Sequence, residues 1–108
     1  MTLDPDLIRA ILNAYEKLPY GGGEPISIEG YTDDQVNYHQ ELLLDAEYIK
    51  ASVTKFGGGG CLILPQRLTY QGHEFLNASR DDARWERAKT VMQKSGGFVL
   101  DVMKSLLV

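Results

Sequence analysis

One cysteine and two histidines are the side chains of this sequence best suited to nucleophilic catalysis or metal binding. They are Cys61, His39 and His73. A thiol, an imidazole and a carboxylate held together would suffice for nucleophilic catalysis. The same groups with a carboxylate could ligate zinc, but none of them shows the short spacing typical of zinc ligands. His39 falls on the inward face of a predicted helix and Cys61 opens an apolar strand, so both are expected to be core residues. We therefore predict that the protein is not an enzyme and needs no metal or cofactor.

Two glycine runs do not match the loops that bind phosphate groups. Such a loop requires Gly-Lys-Ser or Gly-Lys-Thr at the start of a helix. The run 57–60 is followed by Cys-Leu-Ile, and the run 21–23 is followed by Glu-Pro. The adjacent pair Asp81 and Asp82 follows Ser79, and helix capping explains that pattern more simply than a metal site does.

The composition is that of one folded domain. The chain has 108 residues, of which 44% are hydrophobic and 24% charged, and its single cysteine excludes an internal disulfide. No apolar stretch approaches the roughly 20 residues that a membrane span requires. The N-terminus shows no basic region followed by an apolar stretch, so we expect a cytoplasmic protein without membrane contact.

The charge is unevenly distributed along the chain. The net charge is −4, but residues 1–49 hold ten acids and two bases, whereas residues 50–108 hold five acids and nine bases. This asymmetry indicates either a nucleic-acid face on the basic half or an acidic face for a basic protein partner. The simpler alternative is that the charges solvate exposed helix faces.

Capping and periodicity predict an α+β order of elements. Asp4 caps a first helix that stops before Pro19, and alternating residues predict a short strand over 26–30. The capping box of Thr32 and Gln35 opens a helix that runs to about Glu47. Residues 48–56 and 61–69 then form a hairpin around the four glycines, and C-terminal helices follow. We predict one domain over 1–95, with an amphipathic helix over 96–108 packed on it or in a dimer interface.

The order helix, short strand, helix, hairpin, helix resembles a winged-helix domain, with the hairpin as the wing. The residues that carry this resemblance are Leu43, Ala46, Ile49, Leu68, Thr69, Gly72, Phe75 and Leu76. The segment between Pro19 and Thr32 is too short and too glycine-rich for the first helix of a helix-turn-helix. The motif would therefore be a reduced one.

The chain as a whole resembles a family of small bacterial and phage proteins classed as a domain of unknown function. The matching stretches are 6–9, 30–31, 38–39, 68–76 and 80–82, together with Trp85. The resemblance implies a winged-helix-like fold and occurrence on phages and mobile elements. It implies no functional residues.

The first function we predict is that of a DNA-associated transcriptional regulator of phage or mobile-element type. The helix over 32–47 carries five carboxylates and no Lys or Arg, which opposes the usual docking of a recognition helix on DNA. Contact with double-stranded DNA would therefore be led by the basic wing. The candidate contacts are Lys50, Lys55 and Arg67, with Asn37 and Gln40 facing adenine edges.

The alternative is a protein-interaction or adaptor module, of an anti-defence or antitoxin-like kind. The acidic helix 32–47 would bind a basic protein partner through Asp34, Tyr38, Glu41 and Asp45. The last helix is more apolar than one buried stripe requires, so Leu106 and Leu107 are candidates for a homodimer interface.

Overall fold

Five α-helices and one antiparallel β-hairpin form the part of the chain described by the computed structural model, residues 1–107. The elements in order are α1 (Pro5–Glu16), α2 (Asp33–Asp45), β1 (Ile49–Lys55), β2 (Cys61–Leu68), α3 (Tyr70–Ala78), α4 (Asp82–Lys94) and α5 (Leu100–Leu107). The predicted α+β class is confirmed. The last residue of the predicted segment 96–108, Val108, lies outside the described residues.

Side-chain caps set the start of four helices. The carboxylate of Asp4 accepts hydrogen bonds from the amides of Asp6 and Leu7, and Pro5 occupies the first helical position. Thr32 and Gln35 form the predicted reciprocal capping box. The Thr69 side chain accepts from the amide of Gly72 at the start of α3, and the Asp81 side chain accepts from the amide of Arg84 at the start of α4. These bonds satisfy amides that have no partner within their helix.

The predicted hairpin is present, with β1 antiparallel to β2. Ile49 pairs with Leu68 at its base and Lys55 pairs with Cys61 beside the glycine turn. Between Lys50 and Ala51 the register shifts, because Gln66 is an extra residue on β2. This irregularity directly follows Pro65, which has no amide hydrogen to donate to the ladder.

The short strand predicted over 26–30 is absent. Ile26 and Ile28 are half-buried and pack against the core, which explains their alternation with polar residues. No strand bonds form there, although the amide of Gly23 donates to the carbonyl of Pro65 on β2 at 3.1 Å. The alternating pattern therefore reflects which side chains are buried, although this segment forms no strand hydrogen bonds.

The core is built around α1. Its stripe of Leu7, Ile8, Ile11, Leu12 and Tyr15 is buried, as are the aromatic rings of Phe75 and Trp85. Those two rings meet edge to face, with centroids 6.2 Å apart. The last helix packs against α3 and α4 and buries Met103 and Leu107.

Candidate functional site

The three residues that could have formed a catalytic or zinc site occupy separate places. His39 is 2% exposed, and both of its ring nitrogens are engaged. Its Nε2 accepts from the Asp4 amide at 2.9 Å, so its Nδ1 is the nitrogen that donates to the Gln35 carbonyl at 2.8 Å. Cys61 begins β2, whereas His73 lies exposed on α3 beside a different cleft. His39 is thus the structural core histidine that was expected.

Two features are absent from residues 1–107. No cluster of three or more metal-ligating side chains lies within this part of the chain. Nor is any helix in it long and apolar enough to cross a bilayer.

The acidic face of α2, which we define as Asp34, Tyr38, Glu41 and Asp45, lies on the outer side of the helix. Asp34, Tyr38 and Asp45 are exposed, and Glu41 is half-buried. The Lys55 ammonium of β1 donates to Glu41 at 2.8 Å, and this hydrogen bond raises the pKa of Lys55 above its ordinary value. Among residues 1–107, Glu41 is the only member of the face with an ion-pair partner.

The buried residues on the inner face of α2 fix the orientation of the helix. One of them was predicted to contact DNA. Val36, His39 and Leu43 are buried there, and so is Gln40, at 1% exposure. The Tyr15 hydroxyl donates to Gln40 Oε1 at 2.6 Å in a buried site. Gln40 therefore holds α2 to α1, and the prediction that it reads a base edge is wrong. Asn37 is half-buried and lines a cleft with Cys61 and Ile63.

The cations predicted for the wing have different environments. Lys50 and Arg67 are register partners and both are exposed, whereas the neighbouring partners Ile49 and Leu68 are buried. Arg67 donates through Nη1 to the carbonyl of Leu68 at 3.0 Å. Lys55 is held by Glu41, so that it lies on the side of the hairpin that faces α2.

Most of the remaining positive charge is paired with acids of the same chain. Arg80 contacts Glu16 of α1 and the side chain of Asn77. The other pairs are Arg9–Asp82 at 3.0 Å, Arg84–Asp81 at 3.8 Å, Lys89–Asp6 and Lys89–Glu86 at 3.0 Å, and Lys104–Glu74 at 3.5 Å. The basic half of the chain thus neutralises acids of its own fold.

The two leucines predicted for a dimer interface lie on different sides of α5. Leu107 is 2% exposed because it packs into the core, so its assignment to an interface is wrong. Leu106 is 40% exposed and shares the outer side with Val99 and Val102, at helical spacing. The expected homodimer stays a prediction, which light scattering of the full chain would check.

A cleft of about 350 Å³ between the end of α1 and the end of β2 was missed in the sequence. Its lining includes Leu18, Pro19, Tyr20, Arg67 and His73. The only sequence signal near it is the glycine run 21–23, which does not by itself indicate what the loop contacts.

Comparison with known proteins identifies the family. Residues 2–98 match the family described as "Hypothetical protein (DUF2513)". The chain belongs to this family. The DUF2513 chain is also 34% identical over 104 residues to a protein of Haemophilus influenzae whose name is "Uncharacterized protein", a match that covers 94% of this chain and 87% of that protein. No solved structure matches the chain. The expected membership of a family of unknown function is confirmed, while its occurrence on phages stays a prediction.

Proposed function

We propose that this DUF2513 protein is a non-enzymatic protein-interaction module that binds a basic protein partner through the acidic face of α2. The observation that carries the proposal is the exposed negative charge of this face. Asp34 and Asp45 are exposed and have no ion-pair partner among the described residues. The negative charge of this face is therefore available to a partner.

The chemistry of the face fits a protein better than a nucleic acid. Carboxylates repel a phosphate backbone but attract Lys and Arg side chains, and such complementarity speeds and orients association. Tyr38 is 37% exposed in the middle of the face, and its ring lies nearly perpendicular to that of His39, with the ring centroids 5.8 Å apart. Tyrosine is enriched at protein interfaces because it offers apolar area together with a hydroxyl group.

Affinity purification from cells that naturally contain the protein tests this proposal. We expect one stoichiometric protein to co-purify after nuclease treatment and to be lost from the double variant Asp34→Lys/Asp45→Lys. The matched control is Glu24→Lys/Glu29→Lys, which changes the net charge equally at two exposed loop positions. Loss of the partner from both variants, or its retention by both, would contradict a specific role for α2. Removal of the bound material by nuclease would point to nucleic acid instead.

A DNA-associated regulator is the second candidate, supported by Lys50 and Arg67, which are exposed register partners in the hairpin. The order of a helix, a hairpin and a further helix resembles a winged-helix domain, in which the hairpin contacts the DNA backbone. We propose under this alternative that the hairpin of a phage or mobile-element protein makes phosphate contacts with weak sequence preference. Lys55 contributes less, since Glu41 neutralises it.

Binding to duplex DNA across a salt series tests the second candidate. Each phosphate contact adds roughly 0.9 to the slope of log affinity against log salt concentration. The expected result is a measurable slope that falls by about one in Lys50→Gln. A slope near zero, or an unchanged slope in Lys50→Gln, would exclude DNA contact by the hairpin.

A further inference from the structure

The cleft beside β2 has walls that the fold holds in place. On one side stands the loop that follows α1, with Leu18, Pro19 and Tyr20, and on the other side stand the last residues of β2. The Gly23 amide donates to the Pro65 carbonyl at 3.1 Å, which ties the loop across the strand. A Cβ atom at Gly22, which has a φ of +97°, would lie 2.3 Å from the same carbonyl oxygen. Only glycine permits this close approach, which holds the loop against β2 next to Gly21, a residue of the cleft lining.

The cleft combines apolar walls with a few polar groups that can bind an anion. Its floor and sides include Tyr15, Leu18 and Leu68, and the hydroxyl of Tyr15 is already engaged by Gln40. Glu16 also lines the cleft, but its carboxylate is paired with Arg80. The polar groups that remain are those of Arg67, His73 and Gln66. Apolar walls with a small number of placed polar groups are typical of sites for small molecules.

Arg67 lines the cleft and brings a positive charge to it. Its Nη1 donates to the Leu68 carbonyl at 3.0 Å, which holds the guanidinium at the end of the strand. This bond uses one of its five donor hydrogens, so the others are available to a carboxylate, which guanidinium binds in a two-pronged geometry. Tyr20 at the rim is fully exposed and offers its ring to an apolar or planar body.

We propose that this cleft binds a small organic carboxylate with a planar apolar body, held by Arg67 and covered by Tyr20. The site does not involve the acidic face of α2, and its ligand goes beyond the proposed interaction with a basic protein. The two proposals are therefore independent, and a result that contradicts one does not contradict the other.

Titration of the ¹⁵N-labelled full chain with 2-naphthoate tests the site by NMR. We expect shift changes at the amides of Gly21, Gly22, Leu68 and His73. Neutral 2-naphthylmethanol, which has the same ring system, and inorganic phosphate, which has no apolar body, should each bind about tenfold more weakly or not at all. Equal binding of the neutral alcohol, or no shifts at these amides with millimolar 2-naphthoate, would overturn the proposal.

Substitutions at Arg67 and Lys50 distinguish specific binding in the cleft from a general effect of positive charge. Arg67→Gln should weaken 2-naphthoate binding by about tenfold or more, because a charge-assisted bond is lost. Lys50→Gln removes the same charge from the register partner on β1 and should leave binding unchanged. Both positions are exposed, and dispersed spectra would show that the variants are folded. Tyr20→Ala, at a fully exposed position, should also weaken binding. Equal affinities for Arg67→Gln and Lys50→Gln, or unchanged binding by Tyr20→Ala, would contradict the assignment.

Discussion

Asp6 joins the first and fourth helices. Its carboxylate accepts from Trp85 Nε1 at 2.9 Å and from the ammonium of Lys89 at 3.0 Å. Partial burial works to raise the pKa of Asp6, but the hydrogen bonds from Trp85 and Lys89 outweigh it, and the pKa lies below its usual value of 3.8. A carboxylate with a lowered folded-state pKa stabilises the fold above its unfolded pKa and loses that contribution as the pH falls.

Asp6→Asn should therefore lower the free energy of unfolding by about 1 kcal/mol at pH 7, since both bonds involve partly exposed groups. The difference from the wild type should shrink as the pH falls below about 4, where the wild-type carboxyl becomes protonated. Urea unfolding at pH 7 and pH 3 measures both effects. A difference that stays constant between these two pH values would show that charge on Asp6 does not stabilise the fold.

Tyr15 and Gln40 form a buried polar link between α1 and α2. Burial raises the pKa of Tyr15 far above its ordinary value, which keeps its hydroxyl protonated as a donor. Tyr15→Phe should cost about 1–3 kcal/mol of unfolding free energy, because Gln40 Oε1 would be left buried without its donor. Tyr20→Phe removes a hydroxyl from a fully exposed ring and serves as the control. Equal stabilities of the two variants, measured by urea unfolding, would contradict a stabilising role for the link.

At the scale of elements, the sequence was sufficient to predict those features that depend on residues close together in the chain. Asp4, Thr32 and Thr69 cap their own helices, so the starts of α1, α2 and α3 were predictable. The hairpin followed from two β-rich segments around a glycine turn. The prediction of a strand over 26–30 was wrong because alternation shows only which side chains are buried. A strand also needs a neighbouring strand with free backbone groups for hydrogen bonding.

The packing of α3 against the start of the hairpin gives a prediction at this scale. A Cβ atom on Gly72 would lie 2.1 Å from the Tyr48 carbonyl oxygen, so Gly72→Ala forces backbone atoms apart. We expect a loss of about 1–3 kcal/mol, as in other overpacked sites. Gly97→Ala is the matched control, since its Cβ meets open space without a positive φ. Thermal melts of the two variants compare them directly, and equal melting temperatures would contradict the close packing.

At the scale of the whole molecule, the charge asymmetry along the chain leads to ion pairs between the acidic half and the basic half of the same chain. Asp6, Glu16 and Glu41 from the acidic half meet Lys89, Arg80 and Lys55 from the basic half. The sequence predicted the acidic face of α2 because helical spacing alone places those residues together. It could not predict the burial of Gln40 or the cleft beside Arg67, since both depend on contacts between elements distant in the chain.

The binding of a basic protein by the acidic face of α2 is tested most directly by site-specific photocrosslinking. A photoreactive phenylalanine analogue is placed at Tyr38, in the middle of the face, or at Tyr70, which is 79% exposed on α3. In cells that naturally contain the protein, we predict one discrete adduct from position 38, sensitive to protease and resistant to nuclease, and none from position 70. The same adduct from both positions, or no protein adduct from position 38, would contradict binding through α2.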